Sequence, residues 1–408
     1  MRPTAPILPL VALAAVLAQF TDVHRAGAVP LYAARQGLTC QSCHFDPNGG
    51  GPRNEFGFAF ARNRHELQPD TSGMWKDLDL TNRVGDRMPV YLGVNQRFML
   101  LANTTTKSDS LDRLGFFSME NALYIVFQPH SRLTLVYDRD GFNDGATTQD
   151  AFGMISGFPA NGYLKAGRFR TPFGLRMDDH TVATRHSFLD FQSGRAFLPY
   201  DPRRPDMGFE LGVEHGAFFG RAALTNGAAD PFGPEPFAEA VTAKLGYNHS
   251  RSQAAVSFYD DYLKDGAGPF KRATRWDLYA LTHWGRLAFI GDVAAGTDLE
   301  LAGTKRNLLA GFAEADYAVH RAINLRVRYD LFQADRDGTM LVRPGGSRVS
   351  RRDLATYQRY ALEGEFLPMP FAELRWVLRF IDPVASADAL GHPLKTEKQA
   401  YLQCHFSY

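Results

Sequence analysis

From Met88 to the C-terminus, apolar and polar residues alternate with a period of two, in runs separated by short and long turns in alternation. Such a period sends successive side chains to opposite faces of a strand. In Ile323 to Leu331, the residues Leu325, Val327, Tyr329 and Leu331 share one face, and Asn324, Arg326, Arg328 and Asp330 the other. Ala372 to Phe380 repeats the pattern, with Leu374, Trp376, Leu378 and Phe380 opposite Glu373, Arg375 and Arg379. One face suits lipid and the other suits water, which predicts a transmembrane β-barrel of the outer-membrane kind. A soluble sandwich would bury its apolar face against a second sheet and would not need so many charges on the other.

Pairing these runs predicts short links at Pro129 to Ser131, Pro159 to Gly162, Glu214 to Gly216, Asn248 to Ser252, His283 to Arg286, His320 to Ala322 and Pro368 to Phe371. Longer loops lie between them, including Thr171 to Pro205 and Ala334 to Arg352. The fold class is therefore all-β, a barrel of about 16 antiparallel strands with its short turns toward the periplasm. The last strand, Ala400 to Tyr408, sets Leu402, Cys404, Phe406 and Tyr408 on its lipid face, so Cys404 reads as a small apolar filler.

Composition agrees. The 408 residues carry 45 Lys plus Arg against 44 Asp plus Glu, a net charge of +1, which gives a nucleic-acid partner no support. No apolar run after the N-terminus is long enough for a membrane helix, whereas alternating strands average to an ordinary mean hydropathy, here −0.27. At the N-terminus, Met1-Arg2, the apolar run Ile7 to Phe20 and the small residues Ala26-Gly27-Ala28 form the three parts of an export signal. The predicted organisation is a signal peptide over 1–28, a small segment over 29–87 and the barrel over 88–408.

The small segment holds the chemistry. Cys40-Gln41-Ser42-Cys43-His44 is the C-x-x-C-H pattern in which two thiols bond to haem vinyl groups and the histidine ligates iron. A redox disulfide would want a βαβ context, and a zinc half-site would want a second ligand pair; neither is present. A short helix is predicted over Pro52 to Leu67, with Phe56 and Phe60 one turn apart, either against the haem or closing a small core. His65 and Met74 are the distal-ligand candidates, with Met88 also within reach along the chain. Five histidines, His130, His215, His249, His283 and His320, fall at the short turns, where polar residues are ordinary. Arg168, Arg170, Arg176, Arg185, Arg195, Arg203 and Arg204 surround the long loop. They either line the lumen or pair with Asp178, Asp179, Asp201 and Asp206 to fix a folded-in loop. No nucleophile triad, phosphate loop or paired catalytic carboxylates stand out.

One haem motif directly before a barrel resembles the fused monohaem cytochrome-porins of bacterial outer membranes, the group that includes the iron-oxidising outer-membrane cytochromes. The resemblance rests on Ala28-Val29-Pro30, on Ala34-Arg35-Gln36-Gly37-Leu38 leading into the haem motif, and on Asn54-Glu55-Phe56-Gly57 after it. Asn48-Gly49-Gly50-Gly51 is inserted relative to that pattern and is similar to a broader set of haem-bearing porins. The resemblance implies a haem c segment plugging the lumen and passing single electrons between an extracellular donor such as Fe(II) and a periplasmic carrier such as a soluble c-type cytochrome. About 60 residues are too few for an ordinary free-standing core, which independently favours docking inside the barrel. The alternative is an anion or small-solute porin whose haem is structural or sensory.

Overall fold

The computed structural model describes residues 30–70, 80–104, 112–141, 147–177, 182–184, 200, 202, 204–227, 240–249, 251–262, 270–300, 303, 305–334, 357–383 and 396–408. The export signal and Met74 lie outside this set, as do Asp178, Asp179, Arg185, Arg195, Asp201 and Arg203.

Three short helices come first: α1 (Pro30–Gln36), α2 (Cys40–Cys43) and α3 (Glu55–Arg62). Strands follow, beginning with β1 (Arg83–Val84), β2 (Val90–Thr104), β3 (Asp112–His130), β4 (Leu133–Asp140), β5 (Thr147–Phe158) and β6 (Gly162–Arg170). Next are β7 (Pro205–His215), β8 (Phe218–Thr225), β9 (Ala240–His249), β10 (Ser252–Asp261), β11 (Phe270–Trp284) and β12 (Leu287–Glu300). The last are β13 (Lys305–His320), β14 (Ile323–Ala334), β15 (Tyr357–Met369), β16 (Ala372–Pro383) and β17 (Glu397–Ser407). Each strand from β2 to β17 pairs antiparallel with its sequence neighbours, and β17 pairs with β2, so sixteen strands close a barrel. Closure pairs the backbone of every strand and leaves no open edge in lipid.

The seven predicted short links are the seven tight connections, for example 216–217 and 285–286, and they all lie at one rim. Both ends of the barrel, Val90 and Ser407, lie at that rim too. Alternation is kept as the sequence predicts: Leu325 and Val327 are exposed on the outside of β14, while Asn324, Arg328 and Asp330 are buried inside. Exposed Phe158, Trp284, Tyr317, Phe366 and Phe406 stand near the short-turn rim, and Phe116, Tyr360 and Phe380 toward the other. These are the two aromatic girdles of a barrel in an outer membrane, and the chain belongs in that compartment.

The segment before the barrel lies within the lumen at the short-turn end. Tyr32 hydrogen-bonds Glu365 of β15, Arg35 reaches Asn324 of β14 at 2.6 Å, and Arg53 donates to the carbonyl of Ser407 on β17 at 2.5 Å. On the other side, Asn48 reaches Glu210 of β7, so the plug touches opposite walls. It also fastens the seam where the chain ends meet. β1 pairs with β2 beyond the end of β17, Asn82 donates to the carbonyl of Arg53 (2.9 Å), and Tyr408 donates its hydroxyl to the carbonyl of Thr81 (2.9 Å). Phe58 packs on Phe371 and Tyr408 at 4.8 and 5.1 Å between ring centres.

The outward face fixes a first expectation. Val327 stands near the middle of β14 beside Leu362, so Val327→Arg should destabilise the barrel by about 2–4 kcal/mol, read as a lowered midpoint for denaturant unfolding in lipid vesicles.

Candidate functional site

The haem motif sits on a single tight turn. Cys40 and Cys43 are the ends of α2, three residues apart and hence on one face, and the amide of His44 donates to the carbonyl of Cys40 at 3.2 Å. Two glycines let the chain close on this turn. A Cβ at Gly49, whose φ is +88°, would lie 2.8 Å from Cβ of Cys40, and one at Gly57 would lie 2.1 Å from the carbonyl oxygen of Cys43. Helix α3 thus rests its first turn directly on the motif.

That helix is shorter than the sequence predicts. Asn54 caps it by accepting the amide of Gly57 (2.9 Å), and Arg64 and His65 take left-handed φ angles of 54° and 58° that end it. Of its two aromatics, Phe60 is buried in the core shared with Leu31, Cys43 and the wall, whereas Phe56 is 44 % exposed.

His44 is buried, with Nδ1 3.3 Å from the carbonyl oxygen of Gly51. A carbonyl only accepts, so this contact is a hydrogen bond in the tautomer with the proton on Nδ1, which is also the one a histidine ligating through Nε2 needs. The ring borders a cavity of about 450 Å³ near the short-turn rim, lined among others by Phe45, Tyr91, Met154 and Tyr163. That volume lies in the range of cofactor sites. Burial pushes the Cys40 thiol up and the Cys43 thiol up to about 12, against the weaker pull of arginines nearby. Two sulfurs on one face with an adjacent imidazole are the donor set of one covalently held haem, and of those three residues His44 alone lines the cavity.

Of the other expected ligands, His65 and Met88 are placed elsewhere, and Met74 lies outside the described residues. His65 lines a separate cavity of about 90 Å³ whose lining shares no residue with that of His44. Its ring stacks on Tyr32 at 4.0 Å and meets Phe60 edge-on at 5.7 Å, and Nδ1 is sealed from solvent without a hydrogen-bond partner among the described residues. Burial holds its pKa down at about 3, with Arg53 contributing, so the ring is neutral. Met88 is 56 % exposed. The five turn histidines form no metal cluster among the described residues.

A buried charge network, which the sequence did not disclose, ties the motif to the wall. Asp46 pairs with Lys165 of β6 at 3.1 Å and with Arg176 at 3.0 Å, and Lys165 also meets Glu210 at 2.9 Å. Asn48 donates to both carboxylate oxygens of Glu210 (2.9 Å) and accepts from Arg221 of β8 (2.9 Å), while Gln41 donates to Glu214. Burial opposes ionisation of Asp46, but Lys165 and Arg176 outweigh it and hold the carboxyl below its ordinary range, at about 2. Asn48-Gly49-Gly50-Gly51 is thus a docking loop, its three glycines all at positive φ.

The long loop after β6 folds inward. Gly174 takes a hydrogen bond from Lys244 of β9 and donates one to Ser257 of β10, and the amide of Ala183 reaches Asp330 of β14, eight strands away on the far wall. Leu175 and Val182 join the plug core. Among the described residues Arg176 bonds Asp46 and Asp150 of β5 at 3.0 Å, and Asp206 accepts the amides of Met207 and Gly227 and feels the charge of Arg168. The inward fold carries the Arg176 guanidinium to the plug, while Asp178, Asp179 and Asp201 lie outside the described residues.

No family model and no curated protein matches this chain. Solved structures do. An anion-selective porin from Comamonas acidovorans is similar over 79 % of this chain and 100 % of its own, with a TM-score of 0.57 and 10 % identity. This is the sixteen-strand porin fold. OmpT of Vibrio cholerae (TM-score 0.56, 9 % identity, 80 % of this chain and 99 % of its own) is likewise similar. So is Salmonella typhi OmpF in complex with daunomycin (TM-score 0.55, 12 % identity, 80 % of this chain and 100 % of its own). About a fifth of this porin-fold chain falls outside the likeness.

Two outcomes follow from the docked motif. Asp46→Asn leaves Lys165 and Arg176 short of a buried counter-charge and should cost about 3 kcal/mol, measured as a lower denaturant midpoint for release of the plug. The second concerns acid. Between the ordinary imidazole value of 6.5 and about 3, a released plug binds a proton at His65 that the docked plug refuses. Docking should therefore weaken as pH falls through that window, and His65→Phe should flatten the slope, as read by protease cleavage of residues 30–70 across a pH series.

Proposed function

We propose that this chain carries single electrons across the outer membrane by way of one c-type haem held in a plugged, porin-like barrel. What carries the reading is the position of Cys40, Cys43 and His44 inside the lumen, on a segment whose Arg35 and Asp46 pair with Asp316 and Lys165 of the barrel wall. A solute channel gains nothing from filling its own lumen, whereas a redox group that must be reached from two sides of a membrane needs to sit within the crossing.

In this reading Cys40 and Cys43 tether the macrocycle and His44 ligates iron, its ring fixed by Gly51. Bound there, a haem supplies a one-electron couple whose potential follows its axial ligands, burial and hydrogen bonding. Cys43 is 2 % exposed in the docked plug, so its thiol is open to attachment chemistry only before docking. The apolar cluster of Leu31, Phe60, Leu175 and Ile290 keeps water from the buried side of the motif. The cavity beside His44 lies toward the short-turn rim, which suits a soluble periplasmic c-type cytochrome as electron acceptor. The long-loop face suits an extracellular donor of the Fe(II) class. The resemblance to fused monohaem cytochrome-porins supports the same assignment, and with it an outer-membrane oxidoreductase role.

The second reading is an anion or small-solute porin with a structural or sensory haem. The fold likeness to porins favours it, as do the cations Lys165, Arg176 and Arg221 gathered on one side of the lumen. Reconstitution in vesicles separates the two. Electron transfer requires an impermeant external reductant to discharge a trapped acceptor, with ion leak close to that of empty vesicles and full loss of discharge in Cys40→Ser and Cys43→Ser. Large conductance that survives both substitutions would overturn it in favour of transport.

A further inference from the structure

We propose that the short-turn mouth of the barrel is the docking face for a soluble protein whose contact surface is acidic around an apolar centre. That the protein seated there is the electron carrier rests on the haem reading above; the face itself does not.

Arginines ring this mouth. Arg132, Arg251 and Arg286 stand exposed on the β3–β4, β9–β10 and β11–β12 turns, and Arg87 is exposed where the chain approaches β2. None of these four pairs with a carboxylate among the described residues; Arg286 donates to the carbonyl of Val319 at 3.1 Å, and the Arg132 side chain lies against Gly157. Acids at the same rim are largely engaged. Glu55 meets Arg83 at 2.6 Å, and Asp70 meets Arg64 at 2.6 Å and Arg321 at 3.6 Å, which leaves Glu66 and Asp86, outnumbered by the four guanidiniums. Within the ring the plug shows apolar surface, for Phe56, Leu67, Val84 and Met88 are all exposed. Val84 lies in β1, which pairs with the start of β2, and Leu67 precedes Gln68 and Pro69, whose carbonyls take the guanidinium of Arg321 on the β13–β14 turn. Phe56 lines the cavity that His44 borders. An apolar centre inside a polar rim is the anatomy of a protein interface.

Charge selects the occupant. A second copy of this chain would bring the same arginines and be repelled. Lipid headgroups would meet the arginines alone, since acyl chains run along the outer belt of Phe158 and Trp284, whereas the four apolar residues belong to the plug and its exit strand. An acidic soluble protein satisfies both parts: attraction across the rim speeds encounter, and burial of the apolar centre slows departure. Under the haem reading that protein is the carrier. It gains the one electron that this chain gives up, with no bond made or broken, and its seat covers the cavity beside His44.

The test uses the full-length protein in nanodiscs of zwitterionic lipid, with association rates read against two soluble c-type cytochromes of similar size, one acidic and one basic. The acidic probe should bind faster, and its on-rate should fall as ionic strength rises from about 0.01 to about 0.15 M, where the screening length shrinks from about 30 to about 8 Å. Arg87→Gln, Arg132→Gln, Arg251→Gln and Arg286→Gln combined should slow that association by about tenfold with little change in off-rate. Val84→Ser with Met88→Ser should instead raise the off-rate and spare the salt dependence. Replacing the same four arginines with Glu should transfer the preference to the basic probe, a reversal that misfolding does not produce, and resistance of the barrel to detergent on gels checks the fold of each variant. Equal association of both probes, a rate indifferent to salt, or arginine variants that shed bound anionic lipid in native mass spectra while meeting the acidic probe at the parent's rate would overturn the docking face and leave the haem reading intact. A chain that matures colourless yet docks the acidic probe would overturn the haem reading and leave the docking face intact.

Discussion

A charge sealed away from water must find a partner, and that requirement organises the interior of this barrel. The inner faces of the strands carry the ionic side chains that a water-filled pore would leave hydrated. Here the plug and the inward loop cover them, so desolvation has to be offset by close pairing. On β13 to β16 the wall pairs with itself: Arg326 lies 2.9 Å from Asp316 and 3.1 Å from Glu363, and Arg359 lies 2.9 Å from Asp330. On β6 to β8 the wall is incomplete alone. Lys165, Glu210, Arg221 and Glu214 take Asp46, Asn48 and Gln41 from the plug. Such pairs contribute less to net stability than to specificity, since only one seating of the plug satisfies them all.

The same seating joins three things that are separate in the chain. Arg53 binds the end of β17, Asn82 binds Arg53, and Tyr408 reaches back to Thr81, so the plug closes the seam at which the barrel begins and ends. Leu31, Phe60 and Cys43 of the plug share one apolar cluster with Leu175 and Val182 of the loop and with Phe219, Tyr279 and Ile290 of the wall. Plug, loop and barrel therefore form a common core, and the haem motif lies inside it and not on a mobile tether. Plug docking and barrel closure are linked for this reason, and under the proposed haem reading attachment would precede docking, because docking buries Cys43.

The barrel was almost wholly legible in the sequence. Alternation is a local property: when Leu325, Val327 and Tyr329 face lipid, Arg326 and Arg328 must face the lumen, whatever the rest of the chain does. Turn chemistry is local as well, which is why all seven tight connections were found. The motif Cys40-Gln41-Ser42-Cys43-His44 was legible for the same reason, because thiol spacing and the adjacent imidazole belong to five consecutive residues. The helix after it was overextended, since the capping role of Asn54 and the left-handed turn at Arg64 and His65 depend on how α3 must meet Cys43.

Sequence alone, then, determined the alternating strands, their connections, the lipid-facing exterior and the thiol and imidazole donors. Tertiary structure decided the rest. It set His65 in a cavity apart from His44, brought Arg176 to Asp46 and Asp150, and made the Asn48 loop the contact with β7 and β8. Asp46 meets Lys165 across 119 positions and Asn48 meets Glu210 across 162. No pattern within a short stretch encodes such meetings, because they exist only once sixteen strands have closed in register and brought opposite walls within reach of one small segment.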